Sequence, residues 1–446
     1  MIDLKVLVVG GGAREHAICD AVCRSKNAEL YSVMSNLNPG IKSLAVDCLQ
    51  EKETNVSQVV EYAKKQNIDI VIIGSEAPLE TGIVNELNKN GISACSPTKE
   101  AARIETNKEW MRNLLKKHDV PGQLRCDSFT DVNKAKKFIE DLNAEVAIKP
   151  IGLTGGKGVR VSGDHFNGVN EAMEYVRDVI NKEIGGSAKV LIEEKAIGEE
   201  FTLQAFSDGI TILPLHAVQD HKRLLPGDYG PNTGGMGSYS CDNGLLPFLT
   251  KDEYEESAAI LQKIIESLDK EGSPYIGPVY GQFMLTVDGI KVIEINARFG
   301  DPEAMNVLPL LETDFVELCD AMIKGTLSSK KIKLKKKSTV CKYVVPEGYG
   351  VKSIVGAKIL VDEKGINSTG SRLFYASVNK ENNYVSTTSS RSLAVVGISD
   401  SLSAAENICE QALNHVKGDH IFIRHDIGTS ELVEKRMKHM NNIRGI

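Results

Sequence analysis

The chain has 446 residues, enough for two to four domains with sizeable cores. Its 53 basic and 60 acidic side chains leave a net charge of −7, which argues against a general nucleic-acid binder yet leaves room for small anions in a local basic pocket. No run approaches the ~18–20 apolar residues of a membrane span, and the N-terminal MIDLKVLVVGGGAREH carries no cleavage-site pattern.

The first hundred residues alternate strand and helix patterns. Residues 5–9, 30–34, 69–74 and 92–95 read as strands, and 14–24, 56–66 and 79–90 as helices. That alternation predicts a parallel sheet covered on both faces, with ligands beyond the strand C-termini. Loops 10–16 and 74–79 both lie at that end. Residues 97–190 mix amphipathic helices (108–118, 132–142) with a strand at 145–150 and a glycine-rich turn. Strands at 190–195, 201–207, 280–287 and 291–296 follow, interrupted by a helix over 252–270. The last segment, 334–446, has short β runs, a terminal helix and no obvious chemical constellation. The six lysines within 330–337 read as a solvated linker or strand edge. Nine scattered cysteines without a C-x-x-C pair read as reduced thiols of a cytosolic protein; Cys19 and Cys23 make a metal pair only if other ligands converge.

Five segments carry chemistry. Gly10-Gly11-Gly12-Ala13-Arg14-Glu15-His16 fails as G-x-G-x-x-G, because Glu15 stands where close helix–strand packing wants a third glycine. Glycines before a helix N-terminus still suit a phosphate, and the alternative is a plain tight turn with Arg14 and His16 at the surface. Residues 148–159 form no Walker A loop, since Gly158 follows Lys157. They read as a glycine hairpin, with Gly155 and Gly156 at its centre, whose amides fold over a polyphosphate while Lys149 and Lys157 supply charge. The strand VLIEE ends in Glu193 and Glu194, which are either solvated or part of a nucleoside site. Residues 219–237 (QDHKR, then GPNTGGMG) form a charged, glycine-rich loop suited to closing over an anion. Within it His221 is a phosphate contact, a surface residue or, less readily, a general base.

The fifth segment, KVIEINARFGDPE, is the most specific. Strand periodicity puts Glu294, Asn296 and Arg298 on one face, with Ile293 and Ile295 toward the core. A carboxylate beside an amide oxygen suits a hard cation such as Mg²⁺, and Gln282 on the preceding strand could reach it. Arg298 is then placed to hold a transferring phosphoryl group. G-x-S-x-G, H-E-x-x-H and zinc-ligand spacings are missing, so phosphoryl transfer by positioning and charge is expected, without a covalent enzyme intermediate.

Together and in this order, VLVVGGGAREHAI, GSEAPL, IKPIGLTGGKGV, QDHKRLLPGDYGPNTGGMGSYS and VIEINARFGDPE resemble the ATP-grasp superfamily, and within it the phosphoribosylamine–glycine ligase family. The resemblance implies an α/β fold. It has a Rossmann-like N-terminal domain (1–106), a two-part ATP-grasp domain (107–328, with a mobile ATP lid about 120–192) and a small β-rich C-terminal domain (329–446). It implies a cytoplasmic carbon–nitrogen ligase of purine biosynthesis that forms ADP. Glycine and 5-phosphoribosylamine would be joined through glycyl phosphate, with ATP as co-substrate and Mg²⁺ or Mn²⁺ as cofactor. Lys108, Lys149, Gly155, Gly156 and Lys157 would hold ATP phosphates, with Lys157 also catalytic. Backbone at Glu193, Glu194 and Ala196 would read adenine, and Glu200 would hold ribose. Gln282, Glu294 and Asn296 would bind metal, and Arg298 would stabilise the transferring charge. Gly11, Gly12, Glu15, Glu76, Pro78, Asp220, Lys222 and Arg298 would meet the other substrates. No nucleic-acid or membrane partner is implied. A monofunctional monomer or weak homodimer is expected. Two other readings stay open: an ATP-grasp ligase activating formate or bicarbonate, and a non-catalytic nucleotide-binding regulator on the same fold. A dinucleotide dehydrogenase is disfavoured by the missing third glycine.

Overall fold

The structure, a computed structural model, describes residues 4–154 and 158–446. The alternating N-terminal pattern folds as five parallel strands in the order Asp47–Gln50, Ala28–Met34, Leu4–Val9, Ile70–Ile73, Ser93–Ala94. Residues of one strand point alternately to opposite faces. Thus Leu7 and Val9 pack with Val59, Ala63 and Leu87 of helices Val56–Gln66 and Ile83–Lys89, whereas Val6 and Val8 pack with Ala13, Ala17 and Ile18 of helix Ala13–Cys23. Both faces are therefore apolar, as parallel sheets demand. The single helix expected over 79–90 is two, Glu76–Thr81 and Ile83–Lys89, because Gly82 turns the chain at φ +85°.

A second body has its own core. Antiparallel strands in the order Cys126–Phe129, Val190–Glu194, Val146–Pro150, Arg160–Val161 are backed by helices Val132–Asp141 and Gly168–Asn181. Ile139, Val146, Val176, Val190 and Ile192 form a cluster separate from the rest of the molecule. Helix Gly168–Asn181 is not among the expected elements, although its buried Ala172, Met173, Val176 and Val179 follow helical spacing.

The third sheet crosses an expected boundary. Its strands run Gly289–Asn296, Ile276–Thr286, Gly198–Asp208, Ile212–Asp220, Gly237–Ser240, Ser338–Pro346, Leu393–Ser399, Arg372–Tyr375. Strand Ser338–Pro346 pairs directly with Gly237–Ser240, so the C-terminal segment extends the central sheet instead of packing beside it. Helix Lys251–Lys270 covers this sheet with Ile260, Leu261, Ile264 and Leu268, against Phe201 and Phe283. Gly198 permits the close pairing of its strand: a Cβ there would lie 1.8 Å from the Leu285 carbonyl oxygen. The lysine-rich residues 330–337 form an irregular link, as expected. Among the described residues no helix is long and apolar enough to cross a membrane, and all nine cysteines are free.

Candidate active site

Four neighbouring strands at one end of the central sheet meet the small antiparallel body at one site. Gln282 stands opposite Glu294, and Tyr280 opposite Asn296, on neighbouring antiparallel strands. A register shift after Gln282 puts Val292 opposite Phe283, leaving Ile293 unpaired in a bulge. The expected alternation therefore fails at one place. Ile295 is buried in the core, but Ile293 is only half-buried and offers its carbonyl oxygen to Arg112 (2.9 Å). Glu294 and Asn296 keep their common side, with the Asn296 amide donating to Glu294 Oε1 at 3.3 Å. Burial would raise the Glu294 carboxyl, yet Lys222, Lys149 and Lys108 outweigh it and hold the group below its ordinary range.

The cationic side is equally ordered. Lys108, at the start of a helix capped by Asn107, donates to the Gly152 carbonyl at 2.8 Å, across from the glycine loop. Burial lowers its pKa, as does Lys149 nearby, against the pull of Glu294. Lys149 Nζ lies 2.7 Å from Glu193 Oε2, and Arg112 Nε lies 2.6 Å from Glu193 Oε1. Those two cations hold the buried Glu193 carboxyl down at about 2 despite desolvation. Arg112 also donates to the Val292 carbonyl at 2.8 Å, so it welds the small body to the bulge of the central sheet. It is one helical turn after Lys108 on the same face, a spacing that could have exposed it in the sequence. Lys157, Gly155 and Gly156 lie outside the described residues.

Glu194 is half-buried and accepts from the Arg125 backbone N–H at 2.9 Å, and half-buried Ala196 sits in the link to strand Gly198–Asp208. Glu200 Oε2 accepts from Gln282 Nε2 at 2.7 Å and from Lys222 Nζ at 3.2 Å. Lys222 Nζ is also 3.8 Å from Asp220, and Asp220, Glu200 and Glu294 hold its pKa up although burial lowers it. Two buried oxygens here, Gln282 Oε1 and Asp220 Oδ1, have no hydrogen-bond partner among the described residues. Unpaired buried acceptors are costly unless a ligand completes them. With Glu294 and Asn296 alongside, the donor set is carboxylate and amide oxygen, which fits Mg²⁺ or Mn²⁺ bound partly through phosphates.

The N-terminal sheet delivers its loops to the same place. Arg298 NH2 meets Glu105 at 2.9 Å and its Nε meets Glu76 at 3.3 Å, while NH1 donates to the Phe299 carbonyl at 3.0 Å. Burial raises the Glu76 carboxyl, but Arg298 and Arg14 bring it down to about 2. Pro78 is buried in the first turn of the same short helix. Glu15 takes up the room left by the missing glycine. Its side chain folds back beneath the loop, accepting from the Gly12 N–H at 2.7 Å and from Arg14 Nε at 2.8 Å. A Cβ on Gly10 or Gly74 would lie within 2.5 Å of Glu15 Cγ, so those glycines make room for a carboxylate. The surface alternative for Arg14 and His16 is overturned: both are buried, and His16 Nδ1 accepts from the Tyr375 N–H at 2.9 Å. Burial accordingly lowers the His16 pKa to about 4.

His221 is fully buried, which overturns its reading as a surface residue. Its Nδ1 pairs with Asp228 at 3.0 Å, inside a network in which Asp228 also meets Arg424 at 2.8 Å and Arg436. The C-terminal segment thus carries more chemistry than its sequence suggested. Arg391 lies 3.0 Å from Asp301 and donates to the Gly235 carbonyl at 3.2 Å, and Tyr343 stacks beneath its guanidinium.

Comparison with known proteins gives the same arrangement throughout the chain. Residues 4–105 match the N domain of phosphoribosylglycinamide synthetase, 106–304 its ATP-grasp (A) domain and 339–430 its C domain. A phosphoribosylamine–glycine ligase of Methanothermobacter thermautotrophicus is 50% identical over 99% of this chain and 100% of its own length. The crystal structure of phosphoribosylamine–glycine ligase from Thermotoga maritima has the same fold, with a TM-score of 0.80 at 24% identity, covering 95% of this chain and 100% of that one. The biotin carboxylase domain of Hydrogenobacter thermophilus 2-oxoglutarate carboxylase, in complex with the magnesium salt of ADP, shares the fold at a TM-score of 0.73 and 16% identity, covering 100% of this chain and 96% of that one.

Proposed function

The chain belongs to the phosphoribosylglycinamide synthetase family, and from that premise we propose that it joins glycine to 5-phosphoribosylamine, converting ATP to ADP and phosphate and forming glycinamide ribonucleotide. The glycine carboxylate takes the γ-phosphoryl group to give glycyl phosphate, and the amine then displaces phosphate. The observation that carries this reading is the meeting of Lys108 and Lys149 with Glu294, Asn296 and Gln282 in one cleft, with Arg298 beside them.

A divalent cation, Mg²⁺ or Mn²⁺, held by Glu294, Asn296 and Gln282, would neutralise charge on the phosphates. Lys108, Lys149 and Lys157 cradle the phosphate chain with the loop amides of Gly155 and Gly156. Backbone at Glu193, Glu194 and Ala196 offers an adenine edge, and Glu200 offers the ribose an acceptor. Arg298 holds the transferring phosphoryl group by charge alone, consistent with loose phosphoryl-transfer chemistry. Asp220, with its unpartnered oxygen, suits the ammonium end of glycine, and Lys222 beside it suits a carboxylate. Gly11, Gly12, Glu15, Glu76 and Pro78 line the loops at which phosphoribosylamine would enter. The small body at about 120–192, with its separate core, acts as the ATP lid. We divide the chain at 106 and 328, near the limits of the matched segments. We take the protein to be a cytoplasmic monomer or weak homodimer.

ADP release in Mg-ATP, omitting glycine or phosphoribosylamine (made in situ from ribose 5-phosphate and ammonia) in turn, tests the reading. Release that requires both supports it. Release with formate or bicarbonate in place of glycine moves the substrate, and ATP binding without any release favours a regulator.

A further inference from the structure

Arg298 carries one positive charge and faces two carboxylates. Two carboxyl groups already occupy the guanidinium, so an incoming phosphoryl group can replace only one of them, and the two partners have different roles. Their geometry separates them. Glu105 is 2.9 Å from Arg298 with a side chain 5% exposed, whereas Glu76 is 3.3 Å away and 31% exposed. Glu105 has a second hold, because its other oxygen accepts from the Ala297 backbone N–H at 2.7 Å. One carboxylate thus fixes both the guanidinium and the end of the strand that presents Glu294 and Asn296. Glu76 has no comparable second grip on that strand, and its loop belongs to the N-terminal sheet.

Glu105 also lies in the last turn of helix Lys99–Thr106, directly before Asn107, which caps helix Lys108–Lys117. The chain from 105 to 112 consequently touches Arg298, the Gly152 carbonyl and Glu193 in succession. This single stretch ties Arg298 to Glu193 and thereby to Lys149.

We propose that Glu105 is a positioning residue. It anchors Arg298 and the end of the metal-binding strand in every state of the enzyme, while Glu76 is the exchangeable partner that yields Arg298 to the transferring phosphoryl group. The proposal rests on the ligase reading given above. It assigns no contact between Glu105 and substrate; Glu105 acts through Arg298.

The test is a double-mutant cycle on the full chain with Glu105→Gln, Glu105→Asp, Arg298→Lys and Glu105→Gln/Arg298→Lys, scored by glycine- and amine-dependent ADP formation. Glu105→Gln is expected to lower kcat at least ~10-fold with KM for ATP within about 3-fold, the signature of an interaction realised in the transition state. Glu105→Asp, which keeps the carboxyl group, is expected to recover at least ~3-fold of that loss. In the Arg298→Lys background, Glu105→Gln should cost less than about 3-fold further, because coupled residues are not additive. A loss repeated in full in that background marks a merely structural carboxylate and overturns the proposal, as does a Glu105→Gln kcat within twofold of wild type. Wild-type enzyme without substrate-dependent turnover removes the ligase reading, and this inference with it.

Discussion

Replacing Glu193 by Gln keeps the side chain's volume and removes one charge from between two cations. Lys149 and Arg112 have side chains only 7% and 4% exposed, so neither can turn to water for compensation. The cost follows from the carboxyl's own titration. Its pKa falls from 4.5 to about 2 in the folded protein, and at roughly 1.4 kcal/mol per unit this is about 3 kcal/mol of stability at neutral pH. Breaking a buried pair by removing one partner costs about 3–5 kcal/mol in general, so two routes agree. Because the folded pKa is depressed, the stabilisation is fully present above pH 4.5. It is lost as pH falls toward 2, leaving about 1 kcal/mol at pH 3. The small antiparallel body can open by itself, and amide hydrogen exchange in Val146–Pro150 and Val190–Glu194 reads that opening locally. Glu193→Gln should lower the opening free energy there by about 3 kcal/mol at pH 7 and by less than half of that at pH 3. A difference below about 1 kcal/mol at pH 7, or an equal difference at both pH values, would refute the electrostatic account.

Three further outcomes are expected. Glu294→Gln removes the charge that Lys222, Lys149 and Lys108 surround, and ADP formation should fall at least ~100-fold while circular dichroism stays native; turnover near wild type at saturating Mg²⁺ sinks the metal assignment. Asp220→Asn keeps the buried shape but loses the anion whose Oδ1 has no protein partner, so KM for glycine should rise ~10-fold or more with KM for ATP little changed. An unaltered glycine KM would take the ammonium elsewhere. Gly198→Ala puts a methyl 1.8 Å from the Leu285 carbonyl oxygen and must force two central strands apart, with an expected loss of about 3 kcal/mol in urea unfolding; an unchanged midpoint would mean that the strand end is already loose.

Local pattern accounts for most of the elements. The helix at Val56–Gln66 and the strand at Val190–Glu194 lie almost where periodicity put them, because alternation and 3.6-residue spacing report which side of a segment meets the core. The split of residues 76–89 into two helices escaped, since one left-handed glycine interrupts a pattern that otherwise reads through. The same limit applies at Ile293, where a bulge on the paired strand breaks a periodicity that a single strand cannot reveal.

The residues proposed to meet phosphates and metal are legible because their chemistry is concentrated in short runs: glycines flanked by lysines, and a carboxylate, an amide and a guanidinium along one strand. Arg112, Glu105, Arg391 and Arg436 were not, although each is paired across a large separation in the chain. An isolated arginine or glutamate reads as solvated in any local window. Its cost of burial, and the distant opposite charge that offsets it, exist only once the sheets have met. The sequence by itself determined the elements and the reactive runs, through short-range sterics and periodic burial. Tertiary structure decided which charges face one another, because Coulomb attraction in a dry interior depends on distance in space and not on distance along the chain.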